Sequence, residues 1–142
     1  PNIYGLLGAE ANAIEPGKRM LSSMTPTIVE TPKGELFLVI GSPGGSTIIT
    51  TVAQIIMNVI DFEMNIEDAV ELPRFHHQWF PEYVFYEPFG ISQETIDLLT
   101  ARGYIFELRN SMGEANCIQI IPETGDIYVS GDSRRGGVAG AY

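Results

Sequence analysis

The strongest chemical signal in the chain is Val39-Ile40-Gly41-Ser42-Pro43-Gly44-Gly45-Ser46-Thr47-Ile48. An apolar strand candidate runs into a Gly-rich turn, and an apolar helix candidate starts straight after it. Backbone N–H groups at such a helix start are unpaired and point outward, and the helix dipole adds partial positive charge. Two adjacent glycines, Gly44 and Gly45, let a ligand approach the main chain without a Cβ in the way. Those are the requirements for an anion site, or for an oxyanion hole in acyl transfer. The phosphate-binding patterns do not fit. A P-loop needs Lys after its closing Gly, and Gly45 is followed by Ser46-Thr47. The dinucleotide spacing G-x-G-x-x-G and the G-x-S-x-G nucleophile elbow are both absent. On chemistry alone, a tight structural turn is the more common of the two readings.

Three further segments carry polar chemistry. In Arg19-Met20-Leu21-Ser22-Ser23-Met24-Thr25-Pro26, the paired hydroxyls Ser22 and Ser23 can hold a carboxylate with two donors, or simply cap turns. Neither has a Lys at the S-x-x-K spacing of an activated serine. In Pro73-Arg74-Phe75-His76-His77-Gln78-Trp79-Phe80-Pro81, adjacent histidines on an extended chain point apart. Zinc needs three or four ligands at suitable spacing, so an aromatic-packed structural segment is expected there. Gly131-Asp132-Ser133-Arg134-Arg135-Gly136-Gly137 is either a guanidinium pair beside an acidic partner or a solvated tail. No metal and no cofactor are expected.

The elements that must position these residues follow from local patterns. Residues 27–31 and 35–40 are β-branched and apolar around the turn residues Pro32-Lys33-Gly34, which predicts a hairpin. The second strand is apolar nearly throughout, which predicts cover on both faces. Ser46 to Phe62 reads as a helix with Ser46 as N-cap and a narrow polar stripe through Thr50, Gln54 and Asn58. A short helix over 66–72 is capped by Asn65 and stopped by Pro73. Residues 73–90 read as irregular, with a strand at 83–86. Ser92 caps the next helix, with Ile91 and Ile96 as a hydrophobic staple and Gly103 as its stop. Strands at 104–108, 116–121 and 126–130 close the chain. Short hairpin links favour an α+β layered domain over a doubly wound parallel sheet.

Composition narrows the partners. The chain has 142 residues, with Asp+Glu 18 against Lys+Arg 8 and a net charge of −10. A chain near this length hides roughly 70% of its unfolded surface, enough for one domain with a real core. Nucleic acid is excluded, because phosphate binding needs a basic field. No apolar run approaches the ~18 residues of a membrane span. Cys117 is the only cysteine, so no internal disulfide forms. The opening Pro1-Asn2-Ile3-Tyr4 lacks Met and any signal region, which suggests a segment of something longer or an ordinary domain after a trimmed tag.

Together these segments resemble the gamma-glutamyltranspeptidase family, also called glutathione hydrolases. The resemblance rests on PNIYGLLG (1–8), KRMLSSMTPTIV (18–29), GSPGGSTIITTV (41–52), the run from Asn58 through PRFHHQW (73–79), and GDSRRGGVAGAY (131–142). They occur in the family's order from end to end; Met20 stands where the family typically has Pro. The resemblance implies the αββα sandwich of the N-terminal-nucleophile hydrolases, with a zymogen autocleaved into large and small subunits. It implies that residues 1–142 are a single domain, the C-terminal part of the small subunit. By the same resemblance Gly44 and Gly45 supply the oxyanion-hole N–H groups, and Ser22 and Ser23 bind the α-carboxylate of the gamma-glutamyl group.

The family nucleophile is an N-terminal Thr whose own amino group is the base, and Pro1 has no hydroxyl. The expectation is therefore a gamma-glutamyltransferase or glutathione hydrolase fragment, inactive alone. It would need the large subunit, the missing N-terminal part of the small subunit and a substrate such as glutathione. The family is periplasmic or extracellular. The alternatives are a non-catalytic folded module, a self-associating fragment, or a related beta-lactam acylase.

Overall fold

The computed structural model describes residues 4–6, 8–20 and 24–140. The expected hairpin forms from β1 (Thr27–Glu30) and β2 (Leu36–Gly41). Gly34 takes φ +81° in the turn, where L side chains are strained, and its N–H reaches the carbonyl of Thr31 at 2.8 Å. A second hairpin joins β6 (Asn116–Ile121) to β7 (Asp126–Gly131). The two hairpins unite through β2 and β6 into an antiparallel sheet of order β1-β2-β6-β7.

Two helices cover one face of that sheet. α1 (Ile48–Ile60) sends Val52, Ile55 and Val59 onto Leu38, Ile40 and Cys117. α2 (Ile66–Glu71) adds Ile66, Ala69 and Val70. Its cap is the expected one, with the Asn65 carboxamide oxygen accepting from the Asp68 N–H at 2.8 Å. Burial pushes the Cys117 thiol up to about 12, so this thiol is not a nucleophile at neutral pH.

The expectation that β2 is covered on both faces needs correction. Leu38 and Ile40 face the helices, while Val39 lies in a cross-strand row with Ile28, Ile118 and Val129 on the opposite face. In that row Ile28 is 67% and Ile118 40% exposed. A strand apolar on both faces here has one covered face among the described residues.

The second sheet is smaller. β3 (Phe75–His76) pairs antiparallel with β4 (Tyr83–Tyr86), and β4 pairs parallel with β5 (Ile105–Leu108). α3 (Gln93–Thr100), capped by Ser92 as expected, is the crossover that makes the parallel pairing possible. β3 falls in the stretch read as irregular. It is a two-residue bridge held by α1: Gln54 accepts from the Phe75 N–H at 3.1 Å and donates to the Phe75 carbonyl at 2.8 Å. The polar stripe of α1 thus faces protein, and apolar Ile49, Met57 and Ile60 on the same helix are exposed. The α+β class and the mainly antiparallel architecture are as expected.

Candidate active site

The glycine turn stands between the last residue of β2, Gly41, and a 3-10 turn over Gly45–Thr47. Gly44 has φ +143° and Gly45 φ +60°, conformations that favour glycine. Ser46 is not the N-cap. It lies inside the 3-10 turn, and Thr47 flanks α1 without a side-chain cap bond. The Thr47 hydroxyl instead donates back to the Gly44 carbonyl at 2.9 Å, and the Thr47 N–H reaches the same oxygen at 3.2 Å. Both donors therefore hold the Gly44 carbonyl into the turn. Among the described residues the N–H groups of Gly44 and Gly45 donate to no protein acceptor. That leaves two adjacent main-chain donors at a helix start, the arrangement that binds a developing oxyanion.

The turn is walled on both sides. A Cβ on Gly44 would lie 2.6 Å from the Thr47 hydroxyl and 3.3 Å from the Gly113 Cα. A Cβ on Gly113, itself at φ +73°, would lie 2.7 Å from the Thr51 hydroxyl and 3.0 Å from that of Ser42. On the other side, a Cβ on Gly45 would run into the Tyr4 ring. The Ser42 hydroxyl joins the two loops, donating to the Pro43 carbonyl at 2.7 Å and accepting from the Glu114 N–H at 3.0 Å. An open cavity of about 400 Å³ adjoins the turn, lined in part by Tyr4, Gly44, Thr47, Gln78, Arg109 and Arg135.

A buried ionic network anchors the loop that carries Gly113. Arg74 pairs with Asp132 at 2.7 Å, with both side chains almost fully buried. Arg134 pairs with Glu87 at 2.7 Å and with the other Asp132 oxygen at 3.1 Å. Glu87 also accepts from the backbone N–H groups of Arg74 and Met112, and Asp132 from that of Ala115 at 2.8 Å. Arg74 reaches the Met112 carbonyl at 2.7 Å. Residues 112–115 are thus tied directly to three charged side chains, Arg74, Glu87 and Asp132, and Arg134 braces the two carboxylates.

Burial raises the Asp132 carboxyl, yet the N–H groups of Ala115 and Arg134 and the Arg74 guanidinium outweigh it, leaving the group below the ordinary carboxylate range. Burial, then the neighbouring Arg134, lowers Arg74. Burial also lowers Arg134, but the hydrogen bonds to Glu87 and Asp132 outweigh it and hold the guanidinium above its usual value.

Of the residues singled out from sequence, Gly44 and Gly45 come together at this site, whereas Ser22 and Ser23 lie outside the described residues. Of the double Arg, Arg134 has the acidic partners and Arg135 is exposed beside the cavity. His76 and Gln78 of the aromatic segment reach the cavity too. Sequence reasoning missed Tyr4, Ser42 and Gly113; only the turn chemistry of Asn110-Ser111-Met112-Gly113 offered a local signal for the last. Among the described residues no group of three His, Cys, Asp or Glu side chains is placed to hold a metal.

The gamma-glutamyltranspeptidase family model matches residues 1–142. The chain belongs to this family. The glutathione hydrolase proenzyme of Escherichia coli is 48% identical over 134 residues, which is 94% of this chain and 23% of that protein. The chain therefore spans about a quarter of that relative's length. A mutant gamma-glutamyltranspeptidase of Helicobacter pylori matches with TM-score 0.90 and 52% identity, over 95% of this chain and 73% of that one. The gamma-glutamyltranspeptidase of Pseudomonas nitroreducens complexed with L-DON matches with TM-score 0.89 and 40% identity, over 99% and 73% of the two chains. These family members share the α+β arrangement on which the glycine turn is built.

Proposed function

We propose that this chain is the C-terminal part of the small subunit of a gamma-glutamyltransferase or glutathione hydrolase, and that Gly44 and Gly45 supply its oxyanion hole. The observation that carries the reading is the pair of unpartnered N–H groups at a turn where a Cβ has no room at either glycine. The complete enzyme attacks the gamma-carbonyl carbon of a gamma-glutamyl amide such as glutathione with a Thr hydroxyl. The Thr amino group takes the hydroxyl proton, and the carbonyl oxygen becomes an anion facing Gly44 and Gly45. Collapse breaks the C–N bond, and the departing amine leaves with that proton. The gamma-glutamyl ester then passes its acyl group to water or to an amino acid. Ser22 and Ser23 hold the substrate's α-carboxylate.

The chain spans about a quarter of its Escherichia coli relative, and the partners in this reading are the rest of the small subunit and the large subunit. The location that goes with it is periplasmic or extracellular. No described helix is long and apolar enough to cross a membrane. The exposed row of Ile28 and Ile118 is the surface left bare in the isolated chain, through which it self-associates.

The test is a chimera in which this chain replaces the matched segment of the Escherichia coli proenzyme. The chimera releases chromogenic amine from a gamma-glutamyl anilide, and the isolated chain does not. An autocleaved, folded chimera without activity would overturn the reading.

A further inference from the structure

We infer that His76 and Gln78 are positioning residues for the glycine turn, an inference that rests on Gly44 and Gly45 being the oxyanion donors. His76 is 3% exposed and its ring stacks on Phe85 at an interplanar angle of 9°. Each ring nitrogen has a partner. Nδ1 lies 2.8 Å from the Thr50 hydroxyl in the first turn of α1, and Nε2 lies 2.9 Å from the Gln78 carboxamide oxygen. The Gln78 amide nitrogen is 2.9 Å from both the Tyr4 and the Phe80 carbonyls.

The direction of every bond in the relay follows from what each group can do. The two carbonyls only accept, so the end of Gln78 that meets them is its NH₂. Its other end is the oxygen and accepts, so His76 Nε2 carries a proton. The Thr50 hydroxyl donates to Nδ1 of the neutral ring. In the doubly protonated ring it accepts from Nδ1 and donates to the Thr47 carbonyl, 3.1 Å away. The relay therefore closes in either protonation state.

Its ends are what matter for the site. One end is α1 within a turn of Gly45–Thr47, and the other is the main chain of Tyr4, whose ring walls Gly45. The relay fixes the wall and the turn relative to each other. A donor displaced by about 1 Å costs up to 10²-fold in rate, so a loosened wall is felt in the transition state before it is felt in substrate binding.

The test uses the chimeric proenzyme, with active sites counted by burst titration. Gln78→Leu lowers kcat per active site about tenfold and leaves KM for the gamma-glutamyl anilide within twofold. Gln78→Met, of equal length and without the donors, repeats it. His77→Ala, a neighbour outside the relay, leaves both constants unchanged. Hydrogen–deuterium exchange of residues 4–6 rises in the two Gln78 variants and not in His77→Ala.

Three results overturn the inference: faster exchange with unchanged kcat, a loss in KM instead of kcat, or equal effects of His77→Ala. A parent chimera that folds and autocleaves yet stays inactive would sink the oxyanion reading and this inference with it. The exchange data would still report whether Gln78 holds Tyr4.

Discussion

Two glycine-rich segments of the chain, Gly41–Gly45 and Gly131–Gly137, have similar composition and opposite uses. In the first, the glycines leave two main-chain donors without a protein acceptor among the described residues, at a turn whose Gly44 lines a cavity. In the second, they let the backbone fold onto itself. The Gly137 N–H reaches the Asp132 carbonyl at 2.9 Å, and a Cβ on Gly137 would lie 2.7 Å from the same oxygen. The side chains carried there, Asp132 and Arg134, turn inward to the buried ionic network. What separates a donor turn from a structural one is thus whether its N–H groups find protein acceptors, which composition does not encode.

The largest expected effect falls on the structural segment. Asp132→Ala leaves Arg74 and Arg134 buried without their shared carboxylate. Removing one partner of a buried pair typically costs about 3–5 kcal/mol. Urea unfolding of the chain should show that loss, and a change below about 1 kcal/mol would mean the network is ornamental.

Gly45→Ala tests the other segment. The new Cβ meets the Tyr4 ring at φ +60°, so the turn must shift and carry its donors with it. Loss of one oxyanion donor typically costs about 10²–10³ in kcat. The chimera's kcat should fall by that factor, while its unfolding midpoint moves less than that of Asp132→Ala. An equal shift of both would erase the contrast between the segments.

Acid separates them further. Asp132 is held below its ordinary range, so it binds protons more readily when unfolded. The stability it contributes is complete above about pH 4, the unfolded carboxyl value, and is lost as pH falls through the depressed folded value. Thermal melts should therefore decline below about pH 4, and Asp132→Asn should flatten that limb. An identical acid limb in the variant would assign the decline to other carboxylates.

These contrasts also mark what the sequence could tell. The hairpin around Pro32-Lys33-Gly34, the caps Asn65 and Ser92, and the Gly44–Gly45 turn were legible because their chemistry is local. Ser46 misled because a neighbouring hydroxyl, that of Thr47, took the Gly44 carbonyl and tightened the helix start. The bridge at Phe75–His76 is fixed by Gln54, 21 positions away, and no pattern within the segment announces it. Arg74 and Asp132 are brought together only by the tertiary fold, so the double Arg suggested an acidic partner without saying which one. Of the candidate site, the glycines were readable and their walls were not.

The smallest expected effect lies where the donor turn meets the loop anchored by the network. Ser42 is the hydroxyl that links the Pro43 carbonyl to the Glu114 N–H, and so connects the donor turn to the loop held by Arg74 and Glu87. Ser42→Ala removes two hydrogen bonds at a partly exposed position, where water replaces much of what is lost. A typical net value is about 1 kcal/mol. If the loss appears only in unfolding, the donor turn holds its shape without the loop. If it appears in kcat, at roughly fivefold for that free energy, the network's rigidity reaches the donors through this hydroxyl. Steady-state kinetics of the chimera, set beside its urea midpoint, separates the two outcomes. We expect the loss in kcat, because the Ser42 hydroxyl holds the carbonyl of the residue immediately before Gly44.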